Sequence, residues 1–126
     1  MIALEFPGLA PAAKARPRVT ARGTYMPHDY LRWRSWFAMV ARGQWLTDGF
    51  RLRPAITVPV AVSITYRTAT GNMRPDLDNG AGACLDGLQE AKILANDSLV
   101  RRLLVEVIKA KKTDCGITVR IEPLTG

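Results

Sequence analysis

Val60-Ala61-Val62-Ser63-Ile64-Thr65-Tyr66-Arg67 and, after a polar loop, Asp76-Leu77-Asp78-Asn79-Gly80-Ala81-Gly82-Ala83-Cys84-Leu85-Asp86-Gly87-Leu88 are the stretches that decide how this 126-residue chain is read. In the first, Val60, Val62, Ile64 and Tyr66 alternate with Ala61, Ser63, Thr65 and Arg67, the period of two that sends successive side chains to opposite faces of a strand. The alternation predicts a strand over 55–67. Pro59 has no N–H for a ladder and sets the early part at an edge or a bulge. In the second stretch Leu77, Ala81, Cys84, Leu85 and Leu88 recur at helical spacing. Gly80, Gly82 and Gly87 each weaken a helix by up to about 1 kcal/mol relative to alanine, so tertiary packing must carry it.

Upstream, residues 2–6 alternate as a short strand that Pro7-Gly8 ends. Residues 8–29 read as a long basic loop with a short hairpin at 18–25, and loops of that length in compact domains tend to be functional or mobile. Asp29 is placed to cap a helix over 30–46. In that helix Tyr30, Trp33, Phe37 and Val40 face the core, while Arg32, Arg34 and Arg42 fall outside. Downstream come a turn near 95–98, a strand over 99–111, a hairpin turn at Thr113-Asp114-Cys115-Gly116, and a last strand carrying Ile117, Val119 and Ile121. The order β, loop, α, β, α, β, β predicts a mixed α+β fold: one domain over 1–126, with a small mixed sheet and two main helices on one face.

Charge narrows the partner. Lys and Arg number 18 against 11 Asp and Glu, a net charge of +7, and 13 of the 18 are Arg. The planar guanidinium fork matches phosphate, so an Arg-rich excess fits a polyanion such as nucleic acid. Residues 1–53 hold nine of these cations against Glu5, Asp29 and Asp48, a balance of +6. Cys84 and Cys115 have no paired spacing and His28 is the sole histidine, which argues against a zinc site and fits a reducing cytoplasm. No run approaches the roughly 20 apolar residues of a membrane span.

Within this basic chain, acids gather at Arg74-Pro75-Asp76-Leu77-Asp78-Asn79. Carboxylates two residues apart share a face if the backbone is extended, and Pro75 favours that conformation. A hard divalent cation relieves their repulsion, and Mg²⁺ in such a setting activates water and stabilises a leaving oxygen. Asp97 follows the helix in a turn, and the connection at 90–96 is expected to bring it back to the helix start. Asp86, two turns into the helix, faces either the cluster or solvent. Asp78 or Asn79 can also sit at the helix cap.

Asp76-Leu77-Asp78-Asn79, Asp86 and Asn96-Asp97 resemble the RusA-like crossover-junction endonucleases in order, type and spacing. Lys14-Ala15-Arg16-Pro17-Arg18 followed by Tyr25-Met26-Pro27 is similar to phage-borne members. The resemblance covers nearly the whole chain. It implies a homodimer that resolves four-way Holliday junctions or other branched DNA in recombination and repair, nicking two strands symmetrically with Mg²⁺ or Mn²⁺. It also implies a cytoplasmic protein, bacterial or phage-encoded, with Asp76, Asp78 and Asp97 as catalytic metal ligands. The family commonly carries a lysine where this chain has Gly82, and many members have aspartate where it has Asn96.

Lys14, Arg16, Arg18, Arg22 and Arg74 are the candidate phosphate contacts. Arg74, Lys14 or Lys92 can supply the charge that Gly82 lacks. Tyr25 can stack on an opened base. Arg101, Arg102, Lys109, Lys111 and Lys112 read as solvation of a strand edge. A second reading is a family member that binds branched DNA but cuts poorly because Gly82 replaces lysine. A third is another metal-dependent nuclease or a general DNA-binding protein. The edge strands and the aromatic helix are both candidate dimer faces.

Overall fold

A computed structural model describes residues 1–14, 18–21, 23–47, 49–73 and 76–124. Its elements are β1 (Ile2–Pro7), β2 (Arg18–Thr20), β3 (Gly23–Tyr25), α1 (His28–Gln44), β4 (Val60–Thr68), α2 (Leu77–Glu90), β5 (Val100–Lys109) and β6 (Gly116–Pro123). One-turn 3₁₀ segments, Asp97–Leu99 and Lys112–Asp114, precede β5 and β6.

The main sheet has the order β1-β6-β4-β5, and β2 and β3 form the separate hairpin expected in the basic loop. The alternating valines place β4 inside the sheet: Val60, Val62, Ile64 and Tyr66 are all fully buried. Helices α1 and α2 pack together on the sheet. The core between them holds Leu4, Phe6, Phe37, Ile64, Cys84, Leu88, Ile117 and Ile121. Phe37 of α1 stacks on Phe6 of β1 with ring centroids 4.0 Å apart, and Trp33 adds a second stacked ring at 5.3 Å from Phe37. Mixed α+β, with a small mixed sheet and two helices, is therefore the architecture the sequence predicts.

Local boundaries differ from the sequence reading for identifiable reasons. Pro27, with φ −56°, precedes α1, so the helix starts at His28 and Asp29 lies in its first turn, pairing with Arg32 at 2.8 Å. Strand β4 begins at Val60, after Pro59, and its register against β5 shifts between Val60 and Ala61, the irregularity that Pro59 favours. The hairpin expected at 113–116 does not form. Strand β6 pairs with β4 and β1, while β5 pairs with β4 on its other side, so the turn carries the chain across the end of β4. Burial accounts for this. Ile117, Val119 and Ile121 are buried in an interior strand, whereas Leu103, Leu104 and Ile108 of β5 are 42%, 58% and 43% exposed, which suits an edge.

Strands β4 and β5 are parallel neighbours joined through α2. Parallel neighbours need a crossover, and the helix supplies it. Helix α2 therefore starts beyond the C-terminal end of β4 and delivers the chain to the N-terminal end of β5.

Candidate active site

Asp76, Asp78 and Asn79 crown the N-terminus of α2, and all three are exposed. Asp76 is the residue before the helix, with φ −59° and ψ 152°, and its carboxylate makes no capping hydrogen bond. Its carbonyl accepts from the Gly80 N–H at 2.9 Å. Asp78 is already helical, and its Oδ1 accepts from the Asn79 N–H at 2.9 Å. The segment is thus extended only as far as Asp76, not across both acids. Starting the helix at Leu77 places both carboxylates beside the unpaired N–H groups and positive dipole end of α2, which favours negative charge there. Two exposed carboxylates, hard oxygen donors with room for waters and phosphate oxygens, suit a magnesium-class divalent cation.

Asp97 does not join them within one chain. Among the described residues, no group of three or more His, Cys, Asp and Glu stands close enough to hold a metal ion. The expectation that 90–96 returns the chain to the helix start is corrected by the βαβ topology. The 14 residues of α2 span about 21 Å, and Asp97 follows at the far end, exposed, in the 3₁₀ turn before β5. Asn96 caps that turn by accepting from the Ser98 N–H at 2.8 Å. Arg101 donates to the Ser98 carbonyl at 2.5 Å. Lys92 is at this end too, just past α2 with φ 62°, so a helix length separates it from Asp76 and Asp78.

Asp86 faces neither the acid pair nor open solvent. Its side chain is 17% exposed and lies 3.4 Å from the Lys14 ammonium. Its Oδ2 accepts from the Tyr30 hydroxyl at 2.5 Å. Burial, and then the hydrogen bond to Asp86, hold the Tyr30 hydroxyl well above the usual phenol range. Arg34 stacks over the Tyr30 ring and pairs with Glu90 at 3.2 Å, and Arg42 donates to the Glu90 carbonyl at 3.1 Å. Helical periodicity marked Tyr30 as a core residue, and it is buried. No local pattern announces that its hydroxyl meets an acid on another helix.

Lys14 is the one basic-loop candidate whose side chain is described. Its N–H donates to the Asn79 carbonyl at 3.2 Å, which ties the loop to the first turn of α2. Arg18 stands on β2 opposite Tyr25 of β3. Arg16, Arg22 and Arg74 lie outside the described residues. The second basic group is split: Arg101, Arg102 and Lys109 stand exposed on edge strand β5, and Lys111 and Lys112 follow it.

No helix among the described residues is long and apolar enough to cross a membrane. No curated protein matches the chain at a significant level. The family described as endodeoxyribonuclease RusA matches residues 8–122, which takes in the basic loop, both helices, the acid pair and Asp97. That family comprises nucleases that act on Holliday junctions and generally require a divalent metal. By this match over nearly its whole length, the chain belongs to the RusA endodeoxyribonuclease family.

Proposed function

We propose that this protein is a metal-dependent endonuclease, a single domain over 1–126, that resolves four-way DNA junctions by paired symmetrical nicks. The observation that carries the reading is the exposed carboxylate pair Asp76 and Asp78 at the start of α2, in a RusA-family chain whose net charge is +7. Asp76 and Asp78 hold the metal, Mg²⁺ with Mn²⁺ able to substitute. When bound there, such an ion would supply Lewis acidity, making a water more acidic and offsetting charge on the phosphate and the leaving oxygen. Asn79 orients the helix start. Lys14, Arg16, Arg18, Arg22 and Arg74 hold the DNA backbone, which leaves the acids facing a phosphate.

The third ligand, Asp97, comes from the partner in a homodimer. Asp97 of the same chain is a helix length away, and a junction offers two equivalent strands to a two-fold dimer. Strand β5 is an edge, and its exposed Leu103, Leu104 and Ile108 make it the better of the two candidate dimer faces. If two copies of β5 met antiparallel, the N-terminal end of one would lie beside the C-terminal end of the other. The partner's Asp97 would then lie at the end where Asp76 and Asp78 start α2. Such a protein acts in the cytoplasm on a bacterial or phage chromosome.

The test is cleavage of a labelled synthetic four-way junction in Mg²⁺, Mn²⁺ or EDTA, beside a linear duplex with matching arms. Paired nicks that need metal and spare the duplex are expected. Tight junction binding with no nick in either metal would overturn the nuclease reading in favour of a branched-DNA binder, the reading that Gly82 favours.

A further inference from the structure

The α-carbon of Gly82 is covered by a side chain from far away in the sequence. A β-carbon at this position would stand 3.1 Å from Cδ and 3.5 Å from Cβ of Lys14. The Lys14 backbone is fixed to the Asn79 carbonyl at 3.2 Å, and its ammonium ends 3.4 Å from Asp86 Oδ1. Asp86 is in turn held by the Tyr30 hydroxyl at 2.5 Å. Asp78, Gly82 and Asp86 follow at four-residue steps, so they occupy successive turns of one face of α2, about 6 Å apart along the axis. The lysine stem lies over the middle position, with a carboxylate one turn to either side.

We propose that Lys14 is a catalytic residue of this site. Its ammonium rests on Asp86, one turn past Gly82, and swings across the glycine to a scissile phosphate held through the cation at Asp76 and Asp78, one turn before it, a path of about 12 Å along the helix. This rests on the nuclease reading of the acid pair. Four observations support it. The loop is anchored at the first turn of α2, so the pivot of the lysine is next to the acids. Glycine at position 82 leaves the path of the stem open. Lys14 is 47% exposed and free to change rotamer. The stem of four carbons reaches roughly one helical turn from its own Cβ. In the reaction a water oxygen forms the new bond to phosphorus and releases its proton to solvent. The bond to the leaving sugar oxygen breaks, and that oxygen takes a proton from solvent. Lys14 exchanges no proton and offsets the negative charge that builds on the phosphoryl oxygens. Exchanging a carboxylate for a phosphate leaves the ammonium paired at both ends of the swing.

The experiment compares wild type, Lys14→Ala, Lys14→Arg and the double variant Lys14→Ala/Gly82→Lys on the synthetic junction, with binding and single-turnover cleavage measured separately. At saturating junction, Lys14→Ala is expected to cut about 100-fold more slowly, with far less effect on affinity. A lysine returned to the same place from the helix, in the double variant, is expected to recover most of that rate. Lys14→Arg is expected to retain part of it. Wild-type cutting by Lys14→Ala, or a double variant no faster than Lys14→Ala, would overturn the proposal and leave the nuclease reading standing. A wild-type protein that cuts in neither metal would overturn both.

Discussion

Gly87 of α2 lies directly beneath the Phe37 ring of α1, so close that a β-carbon at position 87 would collide with Cδ1, Cε1 and Cγ of that ring. The contact is what lets the two helices share one face of the sheet, because Phe37 is fully buried and stacked on Phe6. Gly87→Ala gains about 1 kcal/mol of helix propensity, but the ring can shift only by leaving its stack. Overpacking of this kind costs about 1–3 kcal/mol. Gly43, in the last turn of α1, has open space around its missing β-carbon. Gly43→Ala should therefore hold or raise the unfolding midpoint in urea, while Gly87→Ala lowers it. An equal response at both positions would show that the Phe37 contact does not limit stability.

That contact also explains what the sequence could not. The glycines of α2 read as a defect in a helix, yet each faces a side chain: Gly87 meets Phe37, Gly80 meets Tyr66 and Met73, and Gly82 meets Lys14. Period-two alternation made β4 legible, and helical spacing did the same for α1, because both patterns are local. The acids at the start of α2 were legible too, since Asp76 and Asp78 are neighbours in sequence. The partner of β6 was not, because 117–121 alternate equally well beside β5 or beside β4, and only burial of the whole sheet decides between them. The separation of Asp97 from the acid pair was hidden for the same reason. It follows from β4 and β5 being parallel, which no local pattern states. The pairing of Asp86 with Tyr30 and Lys14 joins segments that meet only when α1 and the N-terminal loop fold onto α2.

Burial separates the two thiols. Cys84 is fully enclosed beneath Tyr66, whose hydroxyl lies 3.3 Å from its sulfur. Burial pushes the thiol up to about 12 from its usual 9.0, with the Tyr66 hydrogen bond acting the other way. Thiolate is the reactive form, so Cys84 should resist a thiol reagent at neutral pH in the native protein. Half-buried Cys115 should react, and both should react in denaturant. The unfolded chain ionises this thiol more readily than the folded one. Its contribution to stability is therefore complete below pH 9 and is lost as pH rises toward about 12. Unfolding midpoints measured across that range check the sign, and a midpoint that rises with pH would contradict it.

If the basic loop holds the DNA backbone, junction affinity should fall steeply with salt, since each neutralised phosphate releases a counterion and adds about −0.9 to the logarithmic slope. Replacing Arg16 and Arg18 together by alanine should flatten the slope by about 2. Replacing Lys111 and Lys112, which follow the edge strand, should change it far less. Titration of a labelled junction at several salt concentrations reads both slopes. A slope untouched by the loop substitutions would move the DNA contact elsewhere on the surface.

The distance between Asp97 and the acid pair of the same chain makes a mixed dimer informative. Asp78→Asn should abolish cutting and leave junction binding intact or stronger, since binding does not need the water to react. Asp97→Asn should do the same. If each site takes Asp76 and Asp78 from one chain and Asp97 from its partner, a heterodimer of the two variants contains one site with both lesions and one with neither. Mixing two inactive proteins under conditions of subunit exchange should then restore nicking of one strand per junction. With random pairing half the dimers are mixed, and each has one intact site of two, so about a quarter of the wild-type nicking rate is expected. If all three acids served one site within a chain, every mixed dimer would remain dead. Restored single nicks would therefore tie metal binding to dimerisation, and their absence from a mixture that demonstrably exchanges subunits would require Asp97 to act elsewhere.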